Sequence, residues 1–326
     1  MSVENVQIIF DEPTAVFTPG QTISGRVSIV ISNSSLNIKY IQLKFLGEAS
    51  VSWYERRNEV RYRSRRGRRS FNRYFTSKED YFKNIKNKFF LVGAEKGKSQ
   101  LEVGEYVYPF NFSLPHEIPS TFKGEYGEVF YTAKVKINVP LRMIIEKKTT
   151  FEVISPVHLN EEPSLAEPKT ALKEKFYCCF LCKSGPMTLI AYIPYSGFIP
   201  GQSIPVTVEL DNNSNVYVKS IEIKLDRTLE YKALWPSGNI THEHSNIVSV
   251  FINGVEKYKS KTCLKQLQIP NEIMVPNLKH CDIITDKYFL NVEAHVNIPH
   301  LNEVASIKIK LGSTPLTIGS NDSEFD

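Results

Sequence analysis

Between Ile23 and Ile31 the chain alternates: Ile23, Gly25, Val27, Ile29 and Ile31 on one parity, Ser24, Arg26, Ser28 and Val30 on the other. A period of two sends successive side chains to opposite faces, so the segment is predicted to be a strand with one face buried. Asn33-Ser34-Ser35 supplies turn chemistry. Beyond it Ile41, Leu43 and Phe45 alternate with Gln42 and Lys44, which predicts a second half-buried strand.

The same pattern is written again further on. Val206, Val208 and Leu210 alternate with Thr207 and Glu209; Asn212 to Asn215 form a turn; Ile221, Ile223 and Leu225 alternate with Glu222 and Lys224. Pro19-Gly20-Gln21 and Pro200-Gly201-Gln202 precede the two copies. The copies differ in register by one residue, and the difference falls in the turn, where it leaves the faces of the strands unchanged. Downstream, "LPHEIPSTF" from Leu114 answers "IPNEIMVPN" from Ile269, and the alternating run Tyr131 to Val139 before Pro140 answers Leu290 to Ile298 before Pro299. Units of this length are a tandem pair of domains, since solenoid repeats are far shorter.

Short alternating strands, turn residues between them and no long 3.6-residue periodicity predict an all-β chain: two tandem antiparallel Ig-like β-sandwiches. The expected division is 1–155 for the first sandwich, 156–176 for a Pro- and Glu-rich linker, 177–317 for the second and 318–326 for a short acidic tail. "LAEPKTALKEKF" within the linker is the one place where a short helical turn is expected. The 326 residues are enough for two ordinary cores. The 19 Phe and 16 Tyr against 4 Met fit strands better than helices.

Charge changes the picture locally. The net charge is +5, yet Glu55 to Arg73 alone holds nine Arg and two Glu and contributes +7, so the remainder is mildly acidic. Arg56, Arg57, Arg61, Arg63, Arg65, Arg66, Arg68, Arg69 and Arg73 therefore form a candidate contact for anionic lipid or phosphate. Polybasic clusters gain roughly 1 kcal/mol per Arg near an acidic leaflet, and the guanidinium fork suits phosphate oxygens. The bland alternative is a solvated hairpin tip without a ligand. Tyr62, Phe71 and Tyr74 interleave with the arginines, but no groove-reading module accompanies them, so no nucleic acid is expected as a partner.

Cys178, Cys179 and Cys182 lie within five positions. C-C-x-x-C lacks the paired C-x-x-C spacing of a closed tetrahedral zinc site, so the first expectation is packing thiols. A metal-binding or reactive role is the alternative, with Lys175 and Lys183 close enough in sequence to favour thiolate. Neither "THEHSN" (Thr241 to Asn246), read as a surface loop, nor "NGVEKYK" from Asn253, read as a hairpin turn, suggests chemistry. The sequence has no G-x-S-x-G, H-E-x-x-H or dinucleotide fingerprint, and "LVGAEKGKS" is one residue short of a phosphate loop and lacks a βαβ context. No catalytic residue, cofactor or metal site is expected. The chain opens without an apolar signal segment and carries an odd number of cysteines, five. A cytoplasmic protein with reduced thiols is expected, and the sequons at Asn33 and Asn239 then carry no weight.

"EYVYPFNFSLPHEIPSTFKGEYGEVFYTAKVKINVP" (Glu105 to Pro140), with its Tyr108-Pro109-Phe110, Leu114-Pro115, Pro119-Ser120, Gly124 and Tyr131, resembles the arrestin-domain proteins. Cys178-Cys179, Cys182 and Ser184-Gly185-Pro186 at the opening of the second half match as well, as does "IKIKLGSTPL" near the end. The resemblance covers roughly residues 5 to 317. It points to the α-arrestin branch, because "KNKFFLVGAEKGKSQLEVGEYVYPF" lacks the stripe of the amphipathic helix found in visual and β-arrestins. The resemblance implies two cupped sandwiches and a non-enzymatic adaptor. Such an adaptor grips cytosolic parts of membrane receptors or transporters for endocytic sorting, protein transport and ubiquitination, at the plasma membrane or endosomes. HECT-type ubiquitin ligases are implied as partners through P-P-x-Y motifs; this sequence contains no P-P-x-Y. The competing functional reading is a thiol- or zinc-dependent regulatory binding protein centred on Cys178, Cys179 and Cys182.

Overall fold

The computed structural model describes residues 3–59, 69–89, 99–140, 144–177, 185–236 and 238–317. The side chains at 3, 57–59, 69–71, 83–89 and 99 fall outside that description. So do the candidate thiols Cys178, Cys179 and Cys182, the "LVGAEKGKS" stretch from Leu91 to Lys98, and the acidic tail.

The described chain is all-β, as the alternation predicts. The first half supplies β1 (Val3–Phe10), β2 (Val16–Phe17), β3 (Thr22–Ile31), β4 (Leu36–Ile38), β5 (Tyr40–Glu59), β6 (Arg69–Phe89), β7 (Ser99–Leu101), β8 (Gly104–Ser113), β9 (Phe122–Lys123), β10 (Gly127–Asn138) and β11 (Ile145–Val153). The second supplies β12 (Lys169–Phe176), β13 (Pro186–Ile193), β14 (Gly197–Phe198), β15 (Ser203–Asn212), β16 (Val218–Ala233), β17 (Asn239–Val255), β18 (Lys259–Gln268), β19 (Ile284–Val296) and β20 (Glu303–Leu311).

Among the described residues each half builds two main sheets in matching order, and the first half adds the small pair β4-β7. The first has β1-β3-β8 and β2-β11-β10-β5-β6; the second has β12-β13-β15-β18 and β14-β20-β19-β16-β17. Even the short parallel pairings recur: Phe17 lies beside Val153 and Phe198 beside Leu311. The added strand is β12, paired with β13 from Lys169↔Ile193 to Phe176↔Pro186. It occupies a segment whose composition suggests a linker. Helical turns of the 3-10 type do occur there, at Leu159–Glu161 and Pro163–Ala166; the second overlaps the stretch in which a turn was expected only at Leu165 and Ala166, and the rest of that stretch is strand from Lys169.

The repeated Pro-Gly-Gln has a repeated geometry. Gln21 N–H donates to Thr18 O at 3.1 Å and Gln202 N–H to Ile199 O at 3.1 Å, closing two tight turns. Gly20 (φ +80°) and Gly201 (φ +87°) take the left-handed position that a type II turn requires. The glutamine side chain completes each turn: Gln21 Oε1 accepts from Thr18 N at 2.9 Å and Gln202 Oε1 from Ile199 N at 3.0 Å. Above the glycines sit His116 and Asn271, 2.4 and 2.2 Å from where a Cβ would stand. They are the third residues of "LPH" and "IPN". The duplicated words are thus the two sides of one duplicated corner.

The cores differ in material. In the first unit Phe45 stacks on Phe112 at 4.2 Å and meets Phe110 and Phe151 edge to face, with Phe10 packed on Phe110 and Phe17 on Phe151 in turn. In the second the interior is aliphatic, led by Leu189, Val206, Val208, Ile221, Ile223, Leu225, Leu290 and Val292.

By contact the chain forms two compact units. The first comprises Met1–Ser155 together with Tyr231–Thr241 and Pro276–Thr285; the second comprises Pro156–Glu230, His242–Val275 and Asp286–Asp326. Two short arms from the second half of the sequence therefore complete the first unit.

Two local expectations need correction. Thr241 to Asn246 is part of strand β17 and not a loop: its residues are polar on both faces, so no alternation announced it. Asn253-Gly254 also lies inside β17; the turn falls at Glu256 to Tyr258, with Tyr258 at φ +57°. It joins strands of different sheets and is no hairpin. Gly254 is needed for close approach, since a Cβ there would stand 2.0 Å from the Val218 carbonyl oxygen.

Candidate binding surface

β5 and β6 are 20 and 21 residues long, whereas β10, which flanks β5, is 12. β10 pairs with β5 from Asn138↔Tyr40 to Gly127↔Val51. Past that point, apart from Ser52 N–H donating to Tyr126 O at 2.8 Å, β5 ladders among the described residues with β6, from Ser52↔Thr76 to Glu59↔Arg69. The result is a two-stranded ribbon about 25 Å long at 3.3 Å per residue, running into the arginine-rich segment.

Alternation gives the ribbon two unlike faces. One carries Trp53 and Phe75, buried and stacked at 5.2 Å. Arg73, half-buried, sets its guanidinium 5.4 Å from the Phe75 ring centroid. The other face carries Tyr54 and Tyr74, 64% and 57% exposed with ring centroids 6.2 Å apart, and the exposed Arg56 beyond them. The arm Tyr231–Thr241 meets the ribbon's edge: Thr76 N–H donates to Trp235 O at 2.9 Å and Trp235 N–H returns to Thr76 O at 3.2 Å. Trp235 itself is 68% exposed.

Of the nine candidate arginines, Arg56 and Arg73 have described side chains. Arg57 and Arg69 are placed by backbone only, opposite Phe71 and Glu59. Arg61, Arg63, Arg65, Arg66 and Arg68 lie outside the described residues.

The Pro119-Ser120, Gly124 and Tyr131 positions prove to be where the arms are held. Tyr131 is fully buried and its hydroxyl donates to Pro119 O at 2.6 Å. Ser120 Oγ donates to Ser155 O at 3.2 Å and accepts from Asn277 N at 3.1 Å and Ser155 N at 3.0 Å. Gly124 leaves room for Tyr231, whose hydroxyl would stand 2.0 Å from a Cβ. Cys281 on the second arm is buried, and burial raises its pKa, which makes it a packing thiol. The same burial holds Glu79 above its usual range, although its carboxylate accepts from Asp282 N at 2.9 Å. Nothing in the spacing of these residues alone tells that they serve as a clasp.

One polar cluster escaped the sequence reading. Glu222, Glu293 and His295 bring ligand-type atoms within 4.8 Å of one another on β16 and β19 of the second unit. Lys224 Nζ already neutralises Glu293 at 2.7 Å, and Asn302 Nδ2 donates to Glu293 and lies 3.0 Å from His295 Nδ1. The arrangement is a satisfied polar network on a strand surface. His242 and His244, stacked at 5.9 Å on β17, are engaged separately with Glu230 and Thr228.

Two family profiles match this chain: the arrestin (or S-antigen) N-terminal domain over residues 6–160 and the arrestin C-terminal domain over 183–316. The chain belongs to the arrestin family. Its relatives are arrestin domain-containing proteins, the α-arrestins. It is 28% identical to arrestin domain-containing protein 17 of Caenorhabditis elegans over 92% of this chain and 70% of that protein. It is 26% identical to human arrestin domain-containing protein 1 over 91% of this chain and 64% of that protein. Against human arrestin domain-containing protein 4 the identity is 26% over 99% of this chain and 75% of that protein. Both arrestin domains are therefore present, and the relatives are longer. No helix among the described residues is long and apolar enough to cross a membrane.

Proposed function

We propose that this α-arrestin is a non-enzymatic adaptor that binds cytosolic segments of membrane receptors or transporters and passes them into endocytic sorting and protein transport. The observation that carries the reading is the pair of arrestin domains, with every repeated sequence word spent on a corner or a core and no catalytic constellation among the motifs. Beyond core material, the two halves differ at their surface, and surface is where an adaptor acts. The adaptor works from the cytoplasm and reaches the inner leaflet of the plasma membrane or endosomes through the arginine run between Arg56 and Arg73. A ubiquitin ligase contact made by these residues uses a surface other than P-P-x-Y, which the sequence lacks.

Proximity labelling with the tagged chain in cells tests this. Receptors, transporters and ubiquitin ligases are the expected enriched classes. A labelled set dominated by nuclear RNA-binding proteins would overturn the reading.

A further inference from the structure

The solvent face of the β5–β6 ribbon carries two exposed aromatic rings, Tyr54 and Tyr74, among its polar residues. Tyr54 and Tyr74 pair across the strands on that face. Thr76, two residues on from Tyr74 and so on the same face, is backbone-paired with Trp235. Leu234, 55% exposed, adjoins it. Single exposed apolar residues are ordinary, but several on adjoining backbone mark a contact surface. The chain has only two tryptophans, and their fates differ: Trp53 is 6% exposed and Trp235 is 68% exposed.

The chemistry of the patch selects its occupant. Tyrosine and tryptophan favour the bilayer interface, where the ring meets the acyl boundary and the O–H or N–H faces the headgroups. The outer part of the ribbon belongs to the stretch Glu55 to Arg73, whose net charge of +7 is complementary to an acidic leaflet. We propose that Trp235, Tyr54 and Tyr74 form an interfacial anchor that inserts among the headgroups of an anionic membrane once the arginine run has drawn the ribbon there. The inference rests on the membrane reading of the arginine run and adds to it a second, apolar step: electrostatics brings the ribbon to the leaflet and the aromatic rings hold it.

The steps separate by salt and by depth. The full chain carrying Trp53→Phe, so that Trp235 is the sole tryptophan, is mixed with phosphatidylserine–phosphatidylcholine vesicles at a ratio of about 3:7, with brominated acyl chains as quencher. If Trp53→Phe fails to fold, the parent chain serves, because its buried Trp53 adds a constant background. Pelleting that weakens between about 0.1 and 0.5 M salt, together with at least a halving of Trp235 emission, is the expected result. Trp235→Ser should then weaken vesicle binding about fivefold to tenfold, the effect of partly burying one large ring. Salt-sensitive pelleting without quenching overturns the anchor and leaves the arginine contact standing. Absence of pelleting overturns both. If a phosphorylated peptide shifts Trp235 emission while vesicles do not, the patch reads protein tails and the membrane assignment fails.

Discussion

β5–β6 and β16–β17 hold the same place in the two halves of the chain, last in sheets of matching order. Up to the cores they agree: Ile41, Leu43 and Phe45 against Ile221, Ile223 and Leu225, all buried. At the tips they part. The first pair runs to 20 and 21 residues and ends in arginines; the second runs to 16 and 17, and its tip, Tyr231–Thr241, groups with the first unit. Duplication has kept the parts of each strand that bury apolar surface and released the parts that do not. Two copies of one hairpin have become a charged ribbon and a short aromatic arm beside it.

The comparison is broken most sharply by removing its charged member. Changing Arg65, Arg66, Arg68 and Arg69 to Ser should reduce anionic-vesicle binding by about a thousandfold, at roughly 1 kcal/mol per arginine. Changing His242 and His244 of β17 to Ser should leave vesicle binding unchanged. Co-sedimentation measures both, and equal losses would mean the two hairpins have not diverged in role.

Next comes the core. Phe45→Ala removes the ring stacked on Phe112 and should cost about 3–5 kcal/mol, whereas Leu225→Ala should cost about 2–5 kcal/mol at the corresponding depth. Chemical denaturation followed by a probe in each unit distinguishes them: each change should move mainly its own transition. Smaller effects are expected at the corners. Gly20→Val and Gly201→Val each force a β-branched residue into a left-handed backbone against His116 or Asn271, costing about 1–3 kcal/mol. Near-equal losses would support an identical corner; a large disparity would break the symmetry.

The smallest effect is on alkaline stability. Burial pushes Tyr108 in the first unit up to about 12, with Tyr106 adding to it; burial, then the Glu303 carboxylate, does the same for Tyr177 in the second. Both groups ionise later folded than unfolded. Their contribution is therefore intact below about pH 10 and is lost as pH rises towards about 12. Burial also raises Tyr81 and Tyr131 in the first unit against Tyr288 in the second, so the first unit's melting temperature should fall somewhat more steeply over that window.

The fold was legible because buried strands advertise themselves by alternation, and twice over. Ile23 to Ile31 and Val206 to Leu210 needed no structure to be read. The clasp was illegible for a different reason. Ser120, Gly124 and Asn277 act through partners far along the chain, and a serine that satisfies three backbone groups has the same letter as one in water. The Thr241 to Asn246 part of β17 was missed because both its faces are polar, and Asn253-Gly254 was misread as a turn because a glycine that permits close approach looks like one that permits a turn. The arginine run was plain in composition, yet nothing in the sequence placed Trp235 beside Thr76, some 160 residues earlier in the chain.

On the proposed reading, the β5–β6 ribbon with its aromatic arm, and not its twin, meets the membrane. Site-resolved hydrogen exchange with and without phosphatidylserine vesicles addresses it directly. Protection confined to residues 52–59, 69–76 and 234–240, with 242–255 unchanged, is the predicted result. Protection centred on β17 or on the β12-β13-β15-β18 sheet, or no change anywhere, would contradict it.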